Sequence, residues 1–112
     1  EFLFAGKLHA LLFRNWKSRV KGRDWYDFEW YIRNHIPVSI SHFQERAFQN
    51  GNIDEIQLTP ELVKEMIVKK IDTVNLDDAK SDIERFISSP DSLKIWSKQY
   101  FKDLVSHLKF TQ

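Results

Sequence analysis

Apolar residues recur at close to helical spacing along nearly the whole chain, and only three Gly and three Pro interrupt them among 112 residues. That periodicity leaves little room for a sheet and predicts an all-α fold. No stretch alternates as a half-buried strand would. The first helix is expected over about residues 3–20, where Leu8, Leu11, Leu12 and Trp16 form an apolar stripe and Lys7, Arg14, Lys17 and Lys21 lie elsewhere. Gly22 then punctuates the chain. The second helix follows through Asp24-Trp25-Tyr26-Asp27-Phe28-Glu29-Trp30-Tyr31-Ile32, with aromatic side chains on most of its circumference, and is expected to be central to the core and to end at Pro37.

Four more helical stretches are legible downstream. Residues 39–49 carry Ile40, Phe43, Ala47 and Phe48 at helical spacing and stop at Asn50-Gly51, where glycine suits a left-handed C-terminal stop. Thr59-Pro60-Glu61 supplies a side-chain cap, a proline whose missing N–H costs nothing in the first turn, and an acid at the positive end of the dipole. Asn75 is placed to cap a fifth helix carrying Leu76, Ala79, Ile83, Phe86 and Ile87. Ser89-Pro90-Asp91 repeats the opening signal ahead of Trp96, Tyr100, Phe101, Leu104, Val105 and Leu108. The expectation is a compact, bundle-like domain of about six helices spanning residues 1–112. No internal repeat or low-complexity tract points elsewhere.

Composition narrows the chemistry. With 17 Lys plus Arg against 16 Asp plus Glu, the net charge of +1 gives no global attraction to polyanions, so any nucleic-acid contact depends on a local patch. The absence of cysteine removes disulfides, thiol nucleophiles and Cys-based metal sites, and fits a cytoplasmic protein. No run approaches the roughly 18 apolar residues of a membrane span, so no membrane partner is expected. His9, His35, His42 and His107 lack the i, i+4 pairing of a helical zinc site, and no Gly-x-Ser-x-Gly elbow marks a serine hydrolase. The aromatic residues fall on helical apolar faces and read as core before they read as a base-stacking platform. Lys64, Lys69 and Lys70 form a small basic side, read as solvated.

The strongest local feature is Lys21-Gly22-Arg23-Asp24-Trp25-Tyr26-Asp27, preceded by Lys7-Leu8-His9-Ala10-Leu11. Asp24 and Asp27 share one face in the first turns of a helix. Lys7, Arg14 and Lys21 are seven apart, drifting only about 20° per step on a straight helix, so they line one side if the helix persists. A turn at Gly22 would fold that row against the two acids. Such a junction serves either as a structural ion-pair network or as a place that holds phosphates, and the residues alone leave both readings open. A third reading uses Lys7, Arg14, Lys17, Arg19 and Lys21 as a phosphate-binding row for nucleic acid, with steep salt dependence and little sequence preference. A fourth is an interaction module without catalysis, marked by a contiguous exposed apolar patch.

These two motifs, with Ile95-Trp96-Ser97 and Tyr100-Phe101 further on, resemble the C-terminal part of the AbiEii/AbiGii-type nucleotidyltransferase toxins of type IV toxin–antitoxin systems. The resemblance implies a nucleotide site in which Lys7 contacts phosphates, Arg23 and Lys21 add positive charge, and Asp24 and Asp27 are the acidic, catalytic members. Arg14, Lys17 and Arg19 become candidate nucleic-acid contacts. It implies a nucleoside triphosphate, tRNA or another RNA acceptor, a cognate antitoxin, and Mg²⁺. The family's N-terminal Gly-Ser motif with its Asp-x-Asp metal pair has no counterpart here, since no Gly-Ser dipeptide occurs. The chain also begins at Glu1. It is therefore read as a C-terminal fragment, with Mg²⁺ bound mainly by a missing N-terminal domain and no activity expected of the fragment alone.

Overall fold

The computed structural model describes residues 2–13, 21–51 and 58–111. Six α-helices appear among them: α1 (Phe2–Phe13), α2 (Gly22–Arg33), α3 (Ile40–Gln49), α4 (Pro60–Thr73), α5 (Leu76–Ile83) and α6 (Lys98–Ser106). The mostly helical fold is as the periodicity requires. Two caps match their sequence signals: Thr59 Oγ1 accepts from the Leu62 N–H at 3.1 Å and Asn75 Oδ1 from the Asp78 N–H at 3.0 Å; Ser39 Oγ, accepting from the His42 N–H at 3.3 Å, adds a third. Gly51 has φ +73°, the left-handed stop expected after α3.

Three expectations need correction. The second helix ends at Arg33, well short of Pro37, because Asn34 folds its side-chain amide back onto the Trp30 carbonyl at 2.8 Å and His35 adopts φ 58°. The stretch opened by Ser89-Pro90 is not one α-helix. Residues Pro90–Ile95 form a 3₁₀ turn, and α6 starts afresh at Ser97, whose hydroxyl accepts from the Tyr100 N–H at 3.0 Å. Residues Glu84–Phe86 likewise tighten into a 3₁₀ turn after α5, leaving Phe86 exposed. Two very short strands were also invisible to periodicity. Val38–Ser39 (β1) pairs in parallel with Phe110–Thr111 (β2), a two-residue ladder too short to show alternation.

Helix α2 is central, as its aromatic content predicts: it packs on α1, α5 and α6. Phe4 lies flat on Tyr31, ring centroids 4.6 Å apart and planes 11° apart, with Phe28 edge-on at 6.3 Å. On another side Trp25, Phe28 and Trp96 surround Phe101 at centroid distances of 5.1, 6.3 and 5.2 Å. The third side has no side chain. A Cβ on Gly22 would sit 2.0 Å from the Ala79 carbonyl oxygen and 3.0 Å from Ile83 Cβ, so backbone meets backbone where α2 crosses α5. Glycine is required there for close approach and not for an unusual dihedral.

Gly22→Ala is therefore expected to push α2 off α5 and to destabilise the fold by about 3 kcal/mol, the upper part of the usual overpacking range. Gly6→Ala, in the interior of α1, where the Cβ would meet only the movable Arg46 guanidinium at 3.6 Å, should be tolerated and stabilise by about 0.5–1 kcal/mol. Chemical denaturation of the two variants checks the contrast.

Candidate functional site

The Phe4–Tyr31 stack sets the register of α1 against α2. Lys7 is one turn after Phe4, and Asp27 one turn before Tyr31, so in two antiparallel helices they fall on the next rung. Lys7 Nζ lies 3.4 Å from Asp27 Oδ2, and Arg23 Nε, one turn back along α2, lies 3.6 Å from Asp27 Oδ1. One carboxylate thus holds two cations from two helices. The Asp27 side chain is 18% exposed, whereas those of Lys7 and Arg23 are 43% and 72% exposed. The acid is recessed and the cations stand proud of it. Pairs this exposed contribute only about 0–1 kcal/mol each to stability.

The first turn of α2 is fixed from elsewhere in the chain. Its N-cap, Lys21, makes no side-chain cap; instead the Gly22 N–H donates to Asp82 Oδ2 of α5 at 2.9 Å. Asp82 satisfies one of the otherwise unpaired N–H groups and places negative charge at the positive end of the helix. Further along α2, Glu29 is buried; its carboxylate accepts from the Trp96 Nε1–H at 3.1 Å and from the Tyr100 hydroxyl, with Arg33 Nη1 at 3.7 Å. Burial, and then the hydrogen bond to the Glu29 carboxylate, push the Tyr100 hydroxyl up to about 12. The helix carrying Arg23 and Asp27 is thereby pinned at both ends, to α5 and to the segment entering α6.

The sequence candidates distribute as follows. Lys7, Arg23 and Asp27 are brought together; Lys7 sits mid-way along α1 and not at its start. Asp24 is half-buried in the first turn of α2, and its N–H donates to the Lys21 carbonyl at 3.2 Å. Lys21 is the half-buried residue leading into that turn. Arg14, Lys17 and Arg19 lie outside the described residues, as does Trp16. The supports Asp82, Glu29, Trp96 and Tyr100 were not anticipated as parts of the site. Asp82 is 60 residues from its partner and carries no local signal; a lone acid inside the aromatic run, Glu29, was the one visible cue to the second support.

Two surface hollows, of about 450 and 330 Å³, are lined by residues around the α4–α5 junction and by Leu12, Phe13 and α4 residues, away from Lys7 and Asp27. Among the described residues no three acids or histidines converge as a metal site would need, and no helix is long and apolar enough to cross a membrane. Asp27 already faces two cations. Two acids without substrate phosphates make a weak Mg²⁺ site, and Asp27 is paired with Lys7 and Arg23.

The family described as nucleotidyl transferase AbiEii toxin, type IV TA system, matches residues 1–107. The chain belongs to that family. Its members are nucleotidyltransferase toxins, and membership in a type IV system implies a cognate antitoxin as partner. No curated protein and no solved structure matches the chain. Both sequence motifs that carried the resemblance fall within the AbiEii match, and they meet in space at Lys7, Arg23 and Asp27.

The Tyr100–Glu29 contact has a pH signature. A hydroxyl whose folded-state pKa is raised keeps its proton after the unfolded chain has lost it. Its contribution is complete below about 10, and is lost as pH rises from about 10 to 12. The stability difference between the wild type and Tyr100→Phe should be constant up to about pH 10 and shift against the wild type above it. Denaturation curves across that window, with ultraviolet difference titration of the tyrosines, test this; a tyrosine titration identical in both proteins apart from one ordinary group would refute it.

Proposed function

We propose that the face formed by Lys7, Arg23 and Asp27 holds the phosphates of a nucleoside triphosphate whose nucleotide the toxin transfers to an acceptor, with tRNA or another RNA as the acceptor class. The observation that carries this reading is the convergence of the Lys7 and Arg23 cations on one recessed carboxylate. Asp27 keeps the two cations apart and aimed outward before a ligand arrives. A phosphate then replaces part of what Asp27 supplies, exchanging one anion for another on groups that are already half-solvated, so little desolvation opposes binding. Arg23 offers a planar donor fork and Lys7 a point charge, which suits a bridged pair of phosphate groups.

In this reading Asp27 acts first as the residue that positions the cations, and Asp24 and Lys21 complete the charge pattern at the helix entry. Phosphoryl and nucleotidyl transfer use Mg²⁺ to neutralise charge on the phosphates. Because Asp24 and Asp27 alone make a weak site for that ion, its main carboxylate ligands are assigned to a further domain of the nucleotidyltransferase type. This chain supplies cations, orientation and a rigid face to that domain. The cytoplasm, where nucleotides and tRNA are available, is the matching compartment.

Isothermal titration with a nucleoside triphosphate and Mg²⁺ tests the assignment. Lys7→Ala and Arg23→Ala are each expected to weaken binding about tenfold or more, the loss typical of a charge-assisted contact, and to flatten its salt dependence while leaving the thermal transition nearly unchanged. Equal binding by wild type and Lys7→Ala would remove the assignment.

A further inference from the structure

Trp30 stands apart from the other aromatic residues of α2. Trp25, Phe28 and Tyr31 are buried and Tyr26 is half-buried, whereas Trp30 is 50% exposed. It follows Arg23 by seven residues and Asp27 by three, so Arg23, Asp27 and Trp30 form one i, i+4, i+7 row on the solvent side of the helix. On α1, Leu3 precedes Lys7 by one turn and is 66% exposed. In the antiparallel register set by the Phe4–Tyr31 stack, Leu3 and Trp30 lie toward the same face as Lys7 and Asp27 and at the same end of it. The face is thus divided. One end carries cations, and the other, about 10 Å along α2 from Arg23 at 1.5 Å per residue, is an aromatic and aliphatic ledge.

Nothing in the fold requires a tryptophan there. The indole ring has the neighbouring Tyr31 edge-on at a centroid distance of 5.3 Å and is otherwise half open to solvent, in a chain whose other described tryptophans, Trp25 and Trp96, are buried. A flat apolar surface beside a cationic surface is complementary to a molecule with the same division: a nucleobase joined through its sugar to a chain of phosphates. A nucleobase with no charge to pair stacks on an exposed indole with a gain that does not depend on its hydrogen-bonding edge.

We propose that Trp30, flanked by Leu3, is the platform on which the base of the bound nucleoside triphosphate stacks while Lys7 and Arg23 hold its phosphates. This rests on the phosphate assignment made above and adds what that assignment lacks, the location of the base. A stacking platform recognises area and not edge pattern. The chain itself then discriminates weakly between the four bases and binds purines more tightly than pyrimidines; sharper selection is left to groups that reach the base edge.

The test compares two probes on the same protein: a nucleoside triphosphate, and inorganic tripolyphosphate, which carries the phosphates without a base. Wild type should bind both, the purine triphosphate more tightly. Trp30→Ala should weaken nucleoside triphosphate binding about tenfold and leave tripolyphosphate unchanged, and Trp30→Phe should recover most of the loss. Because Trp30 is half exposed, its thermal transition should stay close to wild type, which separates lost stacking from lost folding. Nucleoside triphosphate binding unaffected by Trp30→Ala, with tripolyphosphate binding still abolished by Lys7→Ala, overturns the platform and preserves the phosphate site. Binding of neither probe by the wild type overturns both. A loss in Trp30→Ala equal for the two probes also overturns it, since the residue would then be supporting the cations and not the base.

Discussion

The flat contact between Phe4 and Tyr31 fixes the relation of the first helix to the second, and the arrangement of charged groups on their shared face follows from it. Two rings 4.6 Å apart and nearly parallel permit one register and one rotation of the helices. A slip of one turn in either helix would place Lys7 beyond the reach of Asp27. The charged triad is therefore a consequence of an apolar contact, since the ion pairs themselves are too solvated to hold two helices in place. Packing selects the geometry, and the electrostatics use it.

Helix α2 is secured by three kinds of contact, away from the side that carries Arg23, Asp27 and Trp30. Aromatic rings meet α1 and α6, backbone meets backbone at Gly22 and Ala79, and a buried carboxylate at Glu29 receives the Trp96 and Tyr100 donors. The remaining side carries Arg23, Asp27 and Trp30. A helix so nearly surrounded has little freedom to rotate, which is the condition a binding face needs if its groups are to be aimed before the ligand arrives.

Much of this was legible in the sequence, and for local reasons. Thr59, Asn75 and Gly51 act within three residues of their partners, so their roles could be read directly, and the aromatic density of residues 25–31 placed α2 at the centre. The motif around Lys7 and Asp27 identified the pair, though not the ring stack that brings it together. What escaped notice acts at a distance. Asp82 reaches Gly22 across 60 residues, and Trp96, between the Pro90–Ile95 turn and α6, donates to Glu29 across 67. Periodicity reports which face is apolar; it is silent on which buried donor needs an acceptor. Trp30 illustrates the reverse case. Its composition read as core, and only its exposure separates it from Trp25.

The supports of α2 have a further consequence for the order in which the protein is made. A nascent chain that has released only α1 and α2 already contains Lys7, Arg23 and Asp27, but it lacks the Asp82 carboxylate, the Trp96 and Tyr100 donors, the ring of Phe101 and the β2 residues that pair with Val38. Contacts of such sequence separation form late and slowly. The Phe4–Tyr31 contact that sets the charged face of this toxin-family chain is thus available early, whereas the supports that hold α2 in place are complete only once Asp82, Trp96, Tyr100 and Phe101 have been made.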